Sequence, residues 1–330
     1  MSRLLVLFAA GVVALNAQTP VGGPALGFIF DAPGQALRPV LGIPGAAVFG
    51  DPLPSPSAVS SAAVSLKYNV AVVNDGAWKA LALSPSGVTS TVVLPGGLAA
   101  SARVAVSETG TSAAFYDSVN RVLTVVTGIA SSSMAANPVN LDSLPGSITA
   151  FAAADDGSLL LSSSVPGGGD ALFWIGRDGS TRQLATLQKT ASILLWNSGA
   201  SALAADRAAN RIWGIQNPGS NAAITLLASD ADGVSSPAGA ALSPDAKQLW
   251  IANAGNRTVL GIDLGTRAVV SLDCGFDLTT LLPMADGVSF RLNHLRKGPV
   301  WILDTGSGSG ARVVFIPAVQ ITAAGTEVAQ

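Results

Sequence analysis

Several short stretches of this sequence carry residue types at spacings that could do chemistry. Asp304-Thr305-Gly306-Ser307, after the apolar run Val300-Trp301-Ile302-Leu303, has the local form of one half of an aspartic-protease dyad. That chemistry needs two carboxylates sharing a proton. No second Asp-Thr-Gly or Asp-Ser-Gly occurs in the chain, so a turn whose carboxylate caps backbone N–H groups is the stronger reading. His294 is the only histidine and Cys274 the only cysteine, and there is no Gly-x-Ser-x-Gly elbow. A serine or cysteine triad would have to use His294, and Cys274 has no local partner; one His and one Cys cannot supply the usual nitrogen and sulfur ligands of zinc.

Weaker signals remain. Asp230-Ala231-Asp232-Gly233 resembles half of a calcium loop, but Ala228 stands at the first acidic position and no closing Glu follows, so a plain polar loop is favoured. Ser164-Val165-Pro166-Gly167-Gly168-Gly169 is glycine-rich without the Lys-Ser/Thr pair that completes a phosphate cradle. Asn256-Arg257-Thr258 is a formal glycosylation sequon. His294 lies in a run with Arg291, Arg296 and Lys297, the densest basic patch of the chain; it reads as a solvated hairpin or as a contact for an anionic ligand. None of these stretches implies a cofactor or a bound metal.

The elements that must position these residues repeat. Six segments have the form apolar strand, tight polar turn, apolar strand, with turn centres near residues 68, 109, 156, 199, 245 and 287, a spacing of 41 to 47 residues. A second turn, a third strand and, in most units, a fourth strand follow. A four-stranded antiparallel sheet cannot bury both faces by itself and must stack on its neighbours, and a ring of such sheets is the propeller solution. In the third strand, Trp213, Leu260 and Trp301 each stand three residues before the turn and are expected to wedge between blades. The segment from Gly27 to Ile43 reads as the third and fourth strands of a further unit, with Asp31 in the place of Asp263 and Asp304. The C-terminal segment beginning at Val319 would supply one strand to the same sheet, leaving that blade with as few as three. That gives seven blades with one shared between the termini, or six with an appended hairpin. Residues 50–61 form a Pro-rich connector, and residues 18–330 are expected to make one domain.

Arg3, an apolar run from Leu4 to Leu15 and a small residue at Ala17 are the parts of a cleaved signal peptide over residues 1–17. The run is too short to span a bilayer, so the expected location is secreted or periplasmic, with no integral membrane segment after cleavage. Formal net charge is −2, 12% of residues are charged, and the basic residues are dispersed. Phosphate neutralisation requires clustered Lys and Arg, so a nucleic-acid partner is not expected. With one cysteine there is no intramolecular disulfide, and stability must come from packing.

Residues 242–272 resemble the YVTN-type propeller repeat: Ser243-Pro244-Asp245 at the first turn, Trp250, Ile251 and Asn253 in the next strand, Gly255 and Asn256 at the second turn, and Ile262-Asp263 before the last hairpin. The other units keep only the turn spacing. The resemblance implies a propeller fold. Its relatives include surface proteins, lactonases and enzyme accessory domains, so it does not choose a function.

The expectation is therefore an all-β propeller of four-stranded antiparallel blades, monomeric and non-enzymatic, that presents loops to a protein or glycan partner. In such a ring the turns between second and third strands share a face with the blade-to-blade connections. That face would be rimmed by Asp75, Asp117, Asp206, Arg207, Asn256, Arg257, His294 and Arg296. The rival expectation is a periplasmic hydrolase or lactonase using Asp residues and a divalent cation.

Overall fold

The computed structural model describes residues 24–318 apart from 130, 132, 297 and 309. The leader peptide expected over residues 1–17 and the closing strand expected from Val319 lie outside the described residues.

Every sheet is an antiparallel meander, with strands hydrogen-bonded in sequence order. Blade 1 has three described strands, Ala25–Asp31, Ala36–Leu41 and Val48–Phe49. Six four-stranded blades follow. Blade 2 comprises Ser61–Val64, Val70–Asn74, Trp78–Ser84 and Gly87–Val93, and blade 3 Arg103–Val106, Ser112–Asp117, Val122–Thr127 and Ala135–Val139. Blade 4 comprises Ile148–Ala153, Leu159–Ser164, Asp170–Ile175 and Thr181–Leu187, and blade 5 Thr190–Trp196, Ser201–Asp206, Arg211–Gln216 and Ala223–Ala228. Blade 6 comprises Pro237–Leu242, Gln248–Asn253, Thr258–Asp263 and Val269–Asp273, and blade 7 Leu282–Pro283, Ser289–Arg291, Val300–Asp304 and Arg312–Ile316. The protein is a seven-bladed β-propeller.

Burial follows position in the blade. First strands of successive blades lie side by side around the axis. Second strands such as Val70–Asn74, Ser112–Asp117 and Ser201–Asp206 are buried along their whole length. A strand buried on both faces needs no polar alternation, which is why these read as continuous apolar runs. Fourth strands form the rim and are largely exposed, as in Gly87–Val93 and Val269–Asp273. Between blades 5 and 6, Leu203, Ala205, Ile212, Leu249, Ile251, Leu260 and Ile262 form one cluster. Between blades 6 and 7, Trp250, Leu281, Phe290, Leu292 and Leu303 form another. Within blade 6 a glycine makes room for its cross-strand neighbour: a Cβ on Gly261 would fall 2.4 Å from the Trp250 ring.

The third-strand positions are filled as expected for wedges, although two of the three stay partly exposed. Leu260 is buried. Trp213 packs from the edge against the cluster between blades 4 and 5, with the Arg211 guanidinium 6.0 Å from its ring centre. Trp301 stacks on Phe276 of the blade 6 to blade 7 connection, with ring centres 4.1 Å apart and planes at 4°.

Blade 1 departs from the sequence reading. Its strand Ala25–Asp31 is a second strand, not a third. The Leu26 carbonyl accepts the Ala285 N–H from the first turn of blade 7. Gly27 faces Tyr68 in the first turn of blade 2, where a Cβ would lie 2.3 Å from the ring. At the other end, the Gln35 carbonyl accepts the Val59 N–H of the connection entering blade 2. The strand therefore runs from the face carrying the first and third turns to the face carrying the second turns and the connections. Asp31 belongs with Asp117 and Asp206, not with Asp263 and Asp304. The innermost position of blade 1 has no strand among the described residues.

Candidate functional site

The eight residues expected to rim the connector face all lie on it, but they divide into two groups. Asp75, Asp117 and Asp206 are buried, at 6%, 7% and 2% exposure. Arg207, Asn256, Arg257, His294 and Arg296 are exposed.

The buried carboxylates tie turns and connections together. Asp206 Oδ2 accepts the Gln188 N–H at 2.8 Å, and Oδ1 accepts the N–H groups of Lys189 at 2.9 Å and Ala209 at 3.2 Å. One side chain thus fastens the entry to blade 5 onto the blade's own second turn. Asp117 accepts from Val119 N–H, Asn120 N–H and the Asn120 side-chain amide. Asp75 accepts from the Ser55 hydroxyl and the Lys79 ammonium, each at 2.8 Å, while the Ser57 hydroxyl donates to its carbonyl. Burial would raise the Asp75 pKa, but the hydrogen bonds from Lys79 and Ser55 and the Lys79 charge outweigh it and hold the carboxyl below 3.8. Asp170, on the same face, accepts the Thr190 N–H at 2.7 Å.

The other acidic candidates are also engaged in turns. Asp304 Oδ1 accepts the Gly306 N–H and Oδ2 pairs with Arg312 at 2.9 Å, which is a turn and not half of a protease dyad. Asp232 closes a capping box with Ser229 and pairs with Arg267 at 2.7 Å. Among the described residues, no three His, Cys, Asp or Glu side chains gather where a metal could be held. An open groove of about 550 Å³ lies by Asp156, Trp174, Arg177 and Asp178. Its carboxylates serve Ser158 and Ser180 in their own turns, so it brings no free acid to a substrate.

A different cavity carries unspent charge. Where the innermost strand of blade 1 would run, a space of about 470 Å³ is lined by Phe28 and Phe30 of blade 1, Ala62 and Val64 of blade 2, and Leu282 of blade 7. Arg291, His294 and Arg296 line it as well, and no carboxylate does. Arg291 ends the short second strand of blade 7, and the loop after it carries the other two. The Arg291 Nε is buried with no hydrogen-bond partner. Burial lowers the Arg291 pKa, opposed by Tyr68. His294 is held below 6.5 by loss of hydration and then by the charges of Arg291 and Arg296. Tyr68 lines the space beside Arg291, its hydroxyl donating to the Pro283 carbonyl at 2.8 Å.

Sequence reasoning found the basic patch and listed His294 and Arg296 but passed over Arg291 as a site residue. The signal was an arginine between two large apolar residues of a strand, Phe290-Arg291-Leu292. Lys297 lies outside the described residues. Arg257 pairs with Asp277 at 2.9 Å. Arg207 and Arg296 have no partner among the described residues.

No family model matches the chain, and no curated protein sequence matches it. Solved structures do resemble it. A protein from Lactobacillus plantarum superposes with a TM-score of 0.58 at 14% identity over 89% of this chain and 96% of that one. Virginiamycin B lyase from Staphylococcus aureus gives 0.55 at 14% identity over 79% and 84%. A putative 6-phosphogluconolactonase from Bacteroides uniformis gives 0.54 at 12% identity over 89% and 97%. At these identities the likeness establishes the seven-bladed propeller and carries no activity across. No helix among the described residues is long and apolar enough to cross a membrane.

Proposed function

We propose that this chain is an exported, non-enzymatic propeller of the YVTN-repeat type, which binds a protein or glycan bearing acidic groups at the cell surface or in the periplasm. One observation carries the reading: on the connector face the Asp75, Asp117 and Asp206 carboxylates are buried and hydrogen-bonded, while Arg207, His294 and Arg296 are exposed with no ion pair among the described residues. A face that turns these three acids inward and these cations outward offers charge complementarity to an anionic surface. Such complementarity governs encounter and specificity. The apolar run from Leu4 to Leu15 supports export, and the match of residues 242–272 supports the repeat type.

The test is retention of partners by the immobilised full chain from the exported fraction, compared with a variant carrying Arg207→Glu and Arg296→Glu. Both positions are exposed, so the variant keeps the fold. Retention of specific partners is expected to fall about tenfold or more, in line with reversal of charges at a complementary interface. Equal retention overturns the assignment of this face.

A further inference from the structure

We propose that the cavity beneath the 50–61 connector, where the Asp75–Lys79 ion pair meets an aliphatic wall, is the seat of a small neutral alcohol carrying one ring. The space of about 230 Å³ lies between that connector, the strand Ala36–Leu41 of blade 1 and the outer strands of blade 2. The inner edge of blade 1 takes no part in it. Leu53 and Pro56 of the connector, Leu37 of blade 1, and Val73 and Leu81 of blade 2 make the wall aliphatic. An apolar cavity of about 150 Å³ already accepts a benzene-sized molecule, so this one has room for a single ring and not for an oligosaccharide. The way in lies under the connector. No backbone N–H of residues 54–58 donates to a backbone carbonyl. The hold on that stretch comes from the Ser55 and Ser57 hydroxyls, both on Asp75.

The charges on the wall select the ligand class. Asp75 and Lys79 are the only charged residues that line the space. Asp75 Oδ2 is filled by the Ser55 hydroxyl and the Lys79 ammonium. Its Oδ1 is buried and accepts no hydrogen bond, although Lys79 Nζ lies 2.7 Å away. The charge of Oδ1 is balanced while its lone pairs stay unfilled. A buried ion pair is favourable only when further hydrogen bonds satisfy its remaining lone pairs and protons. An ammonium carries three N–H groups, and Lys79 donates to no acceptor but Asp75 among the described residues. A hydroxyl supplies both missing halves, donating to Asp75 Oδ1 and accepting from Lys79. A ligand amine would meet the Lys79 charge, and a ligand acid would meet that of Asp75. A ketone accepts from Lys79 but leaves Oδ1 unfilled.

Cyclohexanol is the probe, titrated calorimetrically into the full chain at neutral pH beside cyclohexanone, cyclohexylamine and cyclohexanecarboxylate. Saturable one-to-one binding of cyclohexanol is expected, with the other three each weaker by about tenfold or more, the size of one hydrogen bond to a charged group. Thr91 lines the cavity from an exposed rim strand. Thr91→Phe should therefore abolish cyclohexanol binding and leave the melting temperature unchanged within about one degree. Asp75→Asn leaves Lys79 unopposed and should reverse the order, with cyclohexanecarboxylate above cyclohexanol. A flat cyclohexanol titration overturns the proposal and means that water alone fills the space. Equal affinity for cyclohexanone, or undiminished cyclohexanol binding in Thr91→Phe, also overturns it, as does an unchanged order of ligands in Asp75→Asn. Should Asp75→Asn not fold, the ligand series on the unaltered chain and Thr91→Phe decide. The seat shares no residue with Arg207, His294 or Arg296, so its failure and that of the anionic-partner reading are independent.

Discussion

Replacing Asp206 with alanine is expected to destabilise the ring by about 2–4 kcal/mol, a large effect for a residue on a loop face. The side chain accepts three backbone N–H groups, from Gln188, Lys189 and Ala209, and is itself 2% exposed. Leaving a buried donor unmet costs about 1–3 kcal/mol. The three are not fully additive, because Gln188 and Lys189 lie at the surface and water can reach part of the gap. Asp206→Asn keeps one acceptor oxygen and should lose about half as much. The shift of the urea midpoint at constant slope measures both. A change within about 0.5 kcal/mol for the alanine variant would show that the connection does not depend on this carboxylate.

Phe290→Ala is expected to have the largest effect of any single truncation considered, about 3–5 kcal/mol. Phe290 is fully buried in the middle of blade 7, at 0% exposure. It packs with Trp250, Leu281, Leu292 and Leu303 across the seam with blade 6. Blade 7 is poorly placed to absorb a cavity, since its first two strands are only two and three residues long. In a ring of repeats each unit is stabilised mainly by its neighbours. The loss should therefore appear locally first, as faster amide exchange in blades 6 and 7 than in blades 3 and 4. Uniform acceleration around the ring would contradict that picture and point to a single cooperative unit.

The same residues show where the sequence was informative and where it was not. Four of the six first turns carry a glycine that marks them in the sequence, Gly110, Gly157, Gly199 and Gly287, and the structure places positive φ at all six, including Tyr68 and Ala246. Asp31 was placed in the wrong strand for a physical reason. One turn, an Asp or Asn followed four residues later by a left-handed residue, recurs after second strands at Arg121, Asn210 and Arg257, and after a third strand at Arg267. Gln35 fits either series, and only tertiary hydrogen bonds at both ends of the strand decide between them. Asp75, Asp117 and Asp206 lie in second turns, as their sequence positions imply, but their burial was hidden. The Asp75 and Asp206 carboxylates fold back onto connections some twenty residues earlier in the chain, a pairing no local pattern encodes. The cavity at Arg291 was the least legible feature, because it depends on three separate blades meeting where an inner strand is missing among the described residues.

The binding through cations proposed above and catalysis through acids on a bound metal are separated most directly by a divalent cation. A cation that binds only the folded state raises its melting temperature by mass action. The melting temperature of the full chain is expected to be the same, within about one degree, with and without millimolar calcium or magnesium. A rise of several degrees with either metal would show carboxylates assembled around a cation and would contradict the account.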